Sequence, residues 1–464
     1  MIDFPVDQDG RRSSAAFGRA VVADALRAAD PAAADAAAAD RDWRRVYLRH
    51  FRALIEAGLP GDAGYAIAAA GLASVRRQIP LDEVLDGAPD RPLGTVTVEG
   101  EGKPEREVLL PYRGEMLGGA ALDRQLDAWV AAGAVEESCA AAVREVAANP
   151  DWLDLADQRL VVLGAGAEMG PLPAVLAWGG TVVGVDLPRA AVWDRVRATA
   201  VRGAGRLIAP SAGDVPGADL LADPAAVAHW LDGIEGRLIV GNYVYAPGPA
   251  YTRLSVAVDA LAVRLRARRD DVALAFLATP TDVFAVPGEA VAQSADRYRT
   301  RSRRARLTAA ASGGRLLQPN YPDGAVPGIA DSLVPQQGPN YALAKRIQRW
   351  RATVARRDGV VSFAVAPPTN TRSVTSNRLL AAAYAGAHLF DVEIFEPETA
   401  NRLMALLLVH QIRKPRPAAA TAWQDEAVGA AHGGLWRTAY RPRTALGLAA
   451  VRGLLPGGGA SRVG

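Results

Sequence analysis

The chain has 464 residues, half of them hydrophobic, and a formal net charge of +3 at pH 7. This length exceeds what one simple core accommodates, so we expect two or three structural units. A single cysteine, Cys139, excludes an intramolecular disulfide, and with only five histidines it also argues against a metal site. No apolar run is long enough for a transmembrane span, the N-terminus lacks a signal-like apolar segment, and no basic domain indicates nucleic-acid binding. These features predict a cytoplasmic protein with no membrane span, no metal and no nucleic-acid partner.

The sequence pattern of residues 1–150 predicts a mostly helical domain. Apolar residues recur at three- and four-residue spacing in 17–30 and in 43–59, and the alanine tract 31–40 is a linker or a short helix. Residues 95–112 alternate apolar and polar side chains on both sides of a Gly-Glu-Gly-Lys sequence, which predicts a β-hairpin. We therefore expect a separate helical domain that carries one hairpin.

From residue 159 the sequence pattern changes to short apolar runs separated by segments with helical periodicity. This alternation predicts an α/β domain over 151–415, with a doubly wound parallel sheet covered on both faces. An extension over 416–464 is rich in Pro, Ala and Gly. The predicted strands lie in 159–164, 181–187, 206–210, 237–245, 272–280 and 359–368.

The first predicted strand leads into a glycine turn with Gly164, Gly166 and Gly170. Glycines permit a tight turn and a close backbone approach, and a following helix would offer free N–H groups to a phosphate. Asp186 closes the next strand, where a carboxylate can accept hydrogen bonds from a ribose. Both dinucleotides and S-adenosylmethionine bind to this architecture. Methyltransferases usually carry an acidic residue just before the glycines, where this chain has Val161–Leu163.

Tyr341 and Lys345 are spaced four residues apart in a helical pattern, so both side chains lie on one helix face. The chain has 53 basic residues, and only three of them are lysines, Lys103, Lys345 and Lys414. An ammonium beside a tyrosine favours the phenolate, and we expect it to lower the tyrosine pKa toward neutral pH. Such a tyrosine is suited to general acid/base chemistry.

In this order the motifs resemble those of the short-chain dehydrogenase/reductase family over about residues 159–410. No single motif is decisive, but six of them occur in the family's order. They are the glycine turn at 163–170, the acidic segment at 219–231, the fourth strand at 236–248 with Asn242, the fifth strand at 273–287, the pair Tyr341 and Lys345, and the loop at 363–371.

The resemblance implies an NAD(P)-dependent oxidoreductase that interconverts a carbonyl and an alcohol. Tyr341 would be the general acid/base, and Lys345 would activate it and hold the nicotinamide ribose. The hydroxyl that polarises the carbonyl would come from Thr279 or Thr281, with Ser332 as a second choice.

The implied cofactor is NAD or NADP. Asp186 favours NAD because its charge repels a 2′-phosphate, although the nearby Arg189 leaves NADP open. The implied substrate is a small molecule or an acyl group on a carrier or coenzyme A. The resemblance leaves open whether the protein forms a homo-oligomer. The residues implied in cofactor binding are Gly164, Gly166, Glu168, Met169, Gly170, Asp186, Asn242 and Lys345.

Three departures from the family pattern bear on these expectations. Glu168 replaces a glycine, and a carboxylate within ~4 Å of a diphosphate costs about 4 kcal/mol at an effective dielectric of 20 unless it points away. Pro368 replaces the glycine that follows the sixth strand. An insertion at 288–335 with an arginine-rich segment predicts a lid, whose arginines either meet an anionic substrate or face solvent. The alternatives are an S-adenosylmethionine-dependent methyltransferase and a non-catalytic protein on a degenerate reductase fold.

Overall fold

The computed structural model describes residues 2–6 and 10–454 and has a mixed α/β fold around a mostly parallel central sheet. All six predicted strands are confirmed. The strands in the described residues are β1 (Gly94–Glu99), β2 (Leu110–Tyr112), β3 (Glu115–Leu117), β4 (Gln158–Leu163), β5 (Thr181–Val185), β6 (Arg206–Ala212), β7 (Val215–Pro216), β8 (Arg237–Asn242), β9 (Val272–Ala278), β10 (Val283–Val286), β11 (Gly328–Asp331) and β12 (Val361–Val365).

The central sheet has the order β1-β6-β5-β4-β8-β9-β12, and β7 pairs with the end of β6. The neighbours from β6 to β12 are all parallel, whereas β1 joins the edge in antiparallel orientation. Parallel strands buried on both faces are nearly continuously apolar, which is why these six were readable from the sequence.

The helices pack on both faces of this sheet or extend from it. Within the described residues they are α1 (Ser14–Arg27), α2 (Pro31–Ala39), α3 (Trp43–Ala57), α4 (Ala63–Gln78), α5 (Asp82–Asp86), α6 (Gly119–Ala131), α7 (Glu137–Ala148), α8 (Leu172–Ala177), α9 (Ala190–Arg202), α10 (Pro224–Asp232), α11 (Pro249–Arg268), α12 (Gly288–Arg299), α13 (Arg303–Ala311), α14 (Gly338–Ala355), α15 (Arg372–Thr375), α16 (Arg378–Ala385), α17 (Pro397–Arg413), α18 (Ala422–Ala427) and α19 (Pro442–Leu454). None of the helices in this part of the chain combines the length and apolar character needed to cross a bilayer.

Two hydrophobic clusters cover the two faces of the sheet. Side chains alternate between faces along a strand, so Val161 and Leu163 of β4 join one cluster, while Leu160 and Val162 join the other. The first cluster includes α11 and α14, and the second includes α7, α8 and α17. The core therefore lies in two layers, and α14 belongs to the first.

The N-terminal helices share the first of these layers. Phe17 of α1 and Tyr47 of α3 are almost fully buried in the same cluster as the sheet residues. A Cβ atom on Gly71 of α4 would lie 2.4 Å from the ring of Trp350, so α4 packs directly against α14. The hydrophobic core of residues 1–150 is thus continuous with that of the sheet, and the boundary at 150 stays a prediction.

The strands of the predicted 95–112 hairpin do not pair with each other. β1 pairs with β6 from Gly94↔Ser211 to Glu99↔Arg206, and the local hairpin is instead formed by β2 and β3. The alternating pattern of β1 suits an edge strand half exposed to solvent, and such a pattern does not specify its partner. The predicted strand is therefore present, but its partner lies more than 100 residues later.

The insertion at 288–335 contains α12, α13 and β11, and β11 pairs with β10. The C-terminal extension packs against the fold in its described part, since Trp436 is fully buried. Helix α19 lies against α16 so closely that a Cβ atom on Gly386 would be 2.1 Å from the Ala449 carbonyl oxygen. Residues 455–464 of the predicted extension lie outside the described residues.

Candidate functional site

The carboxyl ends of the parallel strands bring the predicted site residues to one edge of the sheet. The glycine turn follows β4, Asp186 follows β5, Asn242 ends β8 and Thr279 follows β9. Register pairs Leu163 of β4 with Asn242 of β8, so the ends of these two strands are adjacent. In open α/β sheets this edge is where ligands bind.

Tyr341 and Lys345 lie one turn apart near the start of α14, as the spacing predicts. The Lys345 ammonium donates hydrogen bonds to the carbonyl oxygen of Leu277 (3.2 Å) and to Oε1 of Gln348 (3.3 Å). Because Leu277 is in β9, the lysine ties α14 to the strand that ends just before Thr279. The hydroxyl of Thr279 lies within hydrogen-bonding reach of the Tyr341 hydroxyl, and this contact acts to lower the pKa of the tyrosine.

The pKa of Tyr341 is raised to about 12, the reverse of the predicted shift. Burial is the largest cause, and it outweighs Lys345 and Thr279, which both act to lower the tyrosine pKa. Burial also lowers the pKa of Lys345, against the opposing charges of Tyr341 and Asp282. The sequence reveals the neighbouring ammonium but not the loss of solvent, and the loss of solvent dominates. At neutral pH Tyr341 therefore keeps its proton.

A chain of hydrogen bonds reaches the tyrosine through both candidate threonines. Gln337 Oε1 accepts from the Val334 amide (3.1 Å), which orients the side chain so that Nε2 donates to Thr281 Oγ1 (2.9 Å). The hydroxyls of Thr281 and Thr279 are 2.9 Å apart. Either hydroxyl can donate to the other, because an oxygen that accepts from Gln337 has a second lone pair for Thr279. Thr279 thus adjoins Tyr341, and Thr281 stands behind it.

A buried ion cluster fixes this arrangement, and the sequence reading missed it. Asp282 follows Thr281 and accepts hydrogen bonds from Arg346 (3.0 Å) and Arg349 (2.6 Å), which also bonds to Glu426 (2.6 Å). Asp282, Arg346 and Arg349 are all almost fully buried. The signal in the sequence was a pair of arginines on the otherwise apolar face of α14, three residues apart.

The glycine turn is held by Asp186. Gly164 has φ +92°, and a Cβ atom there would lie 2.8 Å from the Tyr243 carbonyl oxygen, so the position requires glycine. The amide of Gly166 donates to Asp186 Oδ2 (2.8 Å), and Leu187 donates to Oδ1 (2.7 Å). Helix α8 begins at Leu172 and has six residues, so the helix predicted after the turn is present but short.

Glu168 faces an arginine. Both the backbone amide and Nε of Arg372 donate to its carboxylate, at 2.9 and 2.8 Å. Arg372 begins α15 in the loop after β12, so the ion pair links the glycine turn to that loop. The carboxylate that was expected to repel a diphosphate is therefore paired, and the neighbouring Met169 packs against the second hydrophobic cluster.

Asn242 is buried, and its Oδ1 has no hydrogen-bond partner among the described residues. Buried polar atoms are nearly always satisfied, so an unpaired oxygen at a strand end calls for an explanation such as a ligand.

The carbonyl oxygen of Gly170, the last glycine of the turn, accepts a hydrogen bond from the side-chain amide of Asn401 on α17. Of the glycine-turn residues, Gly170 thus serves the packing of α17.

Tyr341 lines a cavity of about 180 Å³ together with Arg44, Tyr251 and Gln337. Two other cavities meet at Tyr384, and Tyr341 is not among the described residues that line them. An inner cavity of about 90 Å³ is lined mostly by apolar side chains and reaches Thr281 and Ser332. An outer, open cavity of about 800 Å³ includes Arg113 and Arg297, the latter from the predicted lid. Tyr384 lines both cavities. The second-choice hydroxyl, Ser332, therefore shares the inner cavity with Thr281.

Neither a scan against models of protein families nor a comparison with curated proteins finds a match for this chain.

Proposed function

We propose that the protein is an NAD(P)-dependent oxidoreductase of the short-chain type that interconverts a carbonyl and an alcohol. The observation that carries the proposal is the convergence of Thr279, Tyr341 and Lys345 at the carboxyl edge of the sheet. The parallel strands, numbered along the chain, stand in the order 3-2-1-4-5-6, which is the order of dinucleotide-binding Rossmann sheets and supports the proposal.

The residues at the strand ends fit a dinucleotide. Gly164 allows the turn, the second lone pairs of the Asp186 carboxylate suit a ribose diol, and the unpaired oxygen of Asn242 can accept a hydrogen bond. The Glu168 carboxylate was expected to repel a diphosphate. Because it is paired with Arg372, its negative charge is balanced. Asp186 favours NAD, because its charge opposes a 2′-phosphate.

The nicotinamide would supply the hydride in reduction and accept it in oxidation. Tyr341 would donate its proton to the carbonyl oxygen as negative charge develops there, a contribution of about 10²- to 10⁴-fold in rate. Thr279 and Lys345 would stabilise the phenolate that the transfer leaves behind. Because Tyr341 is protonated at neutral pH, it is in the state needed to act as the acid in carbonyl reduction.

The test separates cofactor binding from turnover. Calorimetry with NADH, NADPH and S-adenosylmethionine is expected to detect a nicotinamide and not the methyl donor. With a panel of aldehydes and ketones, Tyr341→Phe is expected to abolish NADH oxidation while leaving NADH affinity unchanged. Tyr298→Phe, a partly buried tyrosine of α12 packed in a different cluster, is the matched control. Binding of S-adenosylmethionine alone would favour the methyltransferase, and no cofactor binding at millimolar concentration would favour the non-catalytic protein.

A further inference from the structure

The cavity that Tyr341 lines, which we call the Tyr341 cavity, lies where three segments of the chain meet. Arg44 comes from α3, Tyr245 and Tyr251 come from the loop after β8 and the start of α11, and Gln337 and Tyr341 come from the segment that begins α14. Its volume is about 180 Å³. Sites for drug-sized ligands measure about 300 to 1,000 Å³, so this space suits a smaller molecule.

The charge in the Tyr341 cavity is positive. Arg44 is the only charged residue among the described residues that line it, and its side chain is exposed. Its neighbour Arg45 pairs with Asp42 (3.4 Å), whereas no carboxylate in the described part of the chain pairs with Arg44. The side-chain amide nitrogen of Asn340, which also lines the cavity, likewise has no acceptor there. An arginine fork matches the two oxygens of a carboxylate, so this lining favours an anionic occupant.

Three tyrosine rings form one wall of the cavity. The ring centroid of Tyr251 lies 5.4 Å from that of Tyr245 and 5.5 Å from that of Tyr341. Tyr245 is 58% exposed, so it marks the mouth of the cavity, and Tyr341 stands at the other end of the row. The wall therefore leads from solvent to the acid/base tyrosine.

The Tyr341 cavity adjoins the acid/base group directly. Tyr341 is part of its lining, and so is Gln337, whose side chain donates to Thr281, the hydrogen-bonded neighbour of Thr279. Because one small cavity is lined by both Tyr341 and Arg44, a single molecule of a few carbon atoms can contact both residues.

We propose that the Tyr341 cavity binds the substrate, and that the substrate is a small oxo acid or the matching hydroxy acid whose carboxylate pairs with Arg44. The inference rests on the proposed function, because that function places the carbonyl at Tyr341. Reduction converts the C=O group into CH–OH, with the hydride that the reduced nicotinamide gives up and the proton that Tyr341 donates, and it leaves the carboxylate unchanged. The inference goes further than the proposed function by naming the substrate class and by giving the N-terminal helices a part in recognition.

The test measures binding without turnover, by calorimetry on the full chain, alone and with NAD at millimolar concentration. The probes are 2-oxobutanoate, 4-oxopentanoate and 5-oxohexanoate, each compared with its uncharged amide. At least one acid is expected to bind about tenfold more tightly than its amide, as one charge-assisted hydrogen bond would give. This preference is expected to shrink at high salt, because Arg44 is exposed. If no acid binds more tightly than its amide, the proposal is overturned.

Substitutions on α3 locate the carboxylate. Arg44→Gln is expected to abolish the preference for the acid over the amide, and Arg44→Lys is expected to retain part of it. Arg45→Gln is the matched control, since Arg45 is an exposed arginine on the same helix and is not among the described residues that line the cavity. Because Arg44 is exposed, its variants are expected to keep the urea midpoint of the parent protein. A preference for the acid that survives Arg44→Gln would refute the assignment.

The two proposals fail in distinguishable ways. If oxo acids bind through Arg44 but Tyr341→Phe keeps full turnover, the proposed acid/base role is wrong while the carboxylate site stands. If NADH binds and Tyr341 is essential, yet uncharged ketones react as well as oxo acids and Arg44→Gln keeps the same kcat/KM, the oxidoreductase stands and the oxo-acid class is wrong.

Discussion

Replacing Glu136 with glutamine tests how the C-terminal segment is attached to the fold. Glu136 precedes α7, is almost fully buried, and accepts hydrogen bonds from His432 Nε2 (2.8 Å) and from Arg437 Nε and Nη2 (2.8 and 2.6 Å). Nδ1 of His432 accepts from the Gly434 amide (3.2 Å), so the imidazole proton is on Nε2 and points to the carboxylate. The cluster of these three side chains joins two segments about 300 residues apart.

The magnitude follows from the pKa of Glu136. Burial acts to raise it, but the hydrogen bonds from His432 and Arg437 prevail and lower it from 4.5 to about 2. A folded-state pKa below the unfolded one stabilises the protein above the unfolded value. This contribution is fully present above pH 4.5 and is lost as the pH falls toward 2. The shift corresponds to about 3 kcal/mol at neutral pH.

We therefore expect Glu136→Gln to lower the free energy of unfolding by about 3 kcal/mol at pH 7, and by far less near pH 2. The assay is urea denaturation at pH 7, 5 and 3, followed by tryptophan fluorescence. Trp436 stacks on His432 with ring centroids 4.5 Å apart, so it reports on this segment directly. Glu115→Gln, an exposed glutamate of β3, is the control. The reasoning is refuted if Glu136→Gln matches the control at pH 7, or if its deficit does not shrink on acidification.

Three further outcomes are expected. The rate of alcohol oxidation should rise about tenfold per pH unit between pH 7 and 10, because the phenolate of Tyr341 forms only toward pH 12. The rate of carbonyl reduction should stay constant over this range, and steady-state rates in both directions measure the difference. Arg372→Ala should weaken NADH binding about tenfold, because the Glu168 carboxylate loses its neutralising cation and keeps only the backbone amide bond. Adding Glu168→Gln should restore binding, and calorimetry of the single and double variants measures the coupling. Asp282→Asn should destabilise the protein by about 3 to 5 kcal/mol, because two buried arginines lose their shared carboxylate; a shift in the urea midpoint measures it.

The parallel sheet could be predicted because each of its strands carries its own signal. A strand such as 159–164 is apolar at nearly every position, and this pattern depends on burial on both faces rather than on a particular partner. The glycine turn was equally readable, because a positive φ at Gly164 demands glycine. The placement of Tyr341 and Lys345 on one face of α14 followed from helical spacing alone.

What the sequence left open depends on contacts between distant segments. β1 alternates as any edge strand does, so nothing in it specifies β6 as its partner. Arg372 lies 204 residues from Glu168, and a charged residue in a loop does not reveal which carboxylate it meets. The pKa of Tyr341 was expected in the wrong direction because loss of solvent is a property of the folded chain. The functional roles of these residues stay predictions.

The packing of α4 against α14 has a consequence for synthesis on the ribosome. The glycine at 71 meets Trp350, so the apolar face of α4 waits for a partner made about 280 residues later. At 5–20 residues per second, that delay is roughly 14 to 56 s. During this interval the face of α4 that meets Trp350 stays uncovered, and until β6 has been made β1 lacks the strand that completes its hydrogen bonds. We expect the newborn protein to be a substrate for holding chaperones until α14 has emerged.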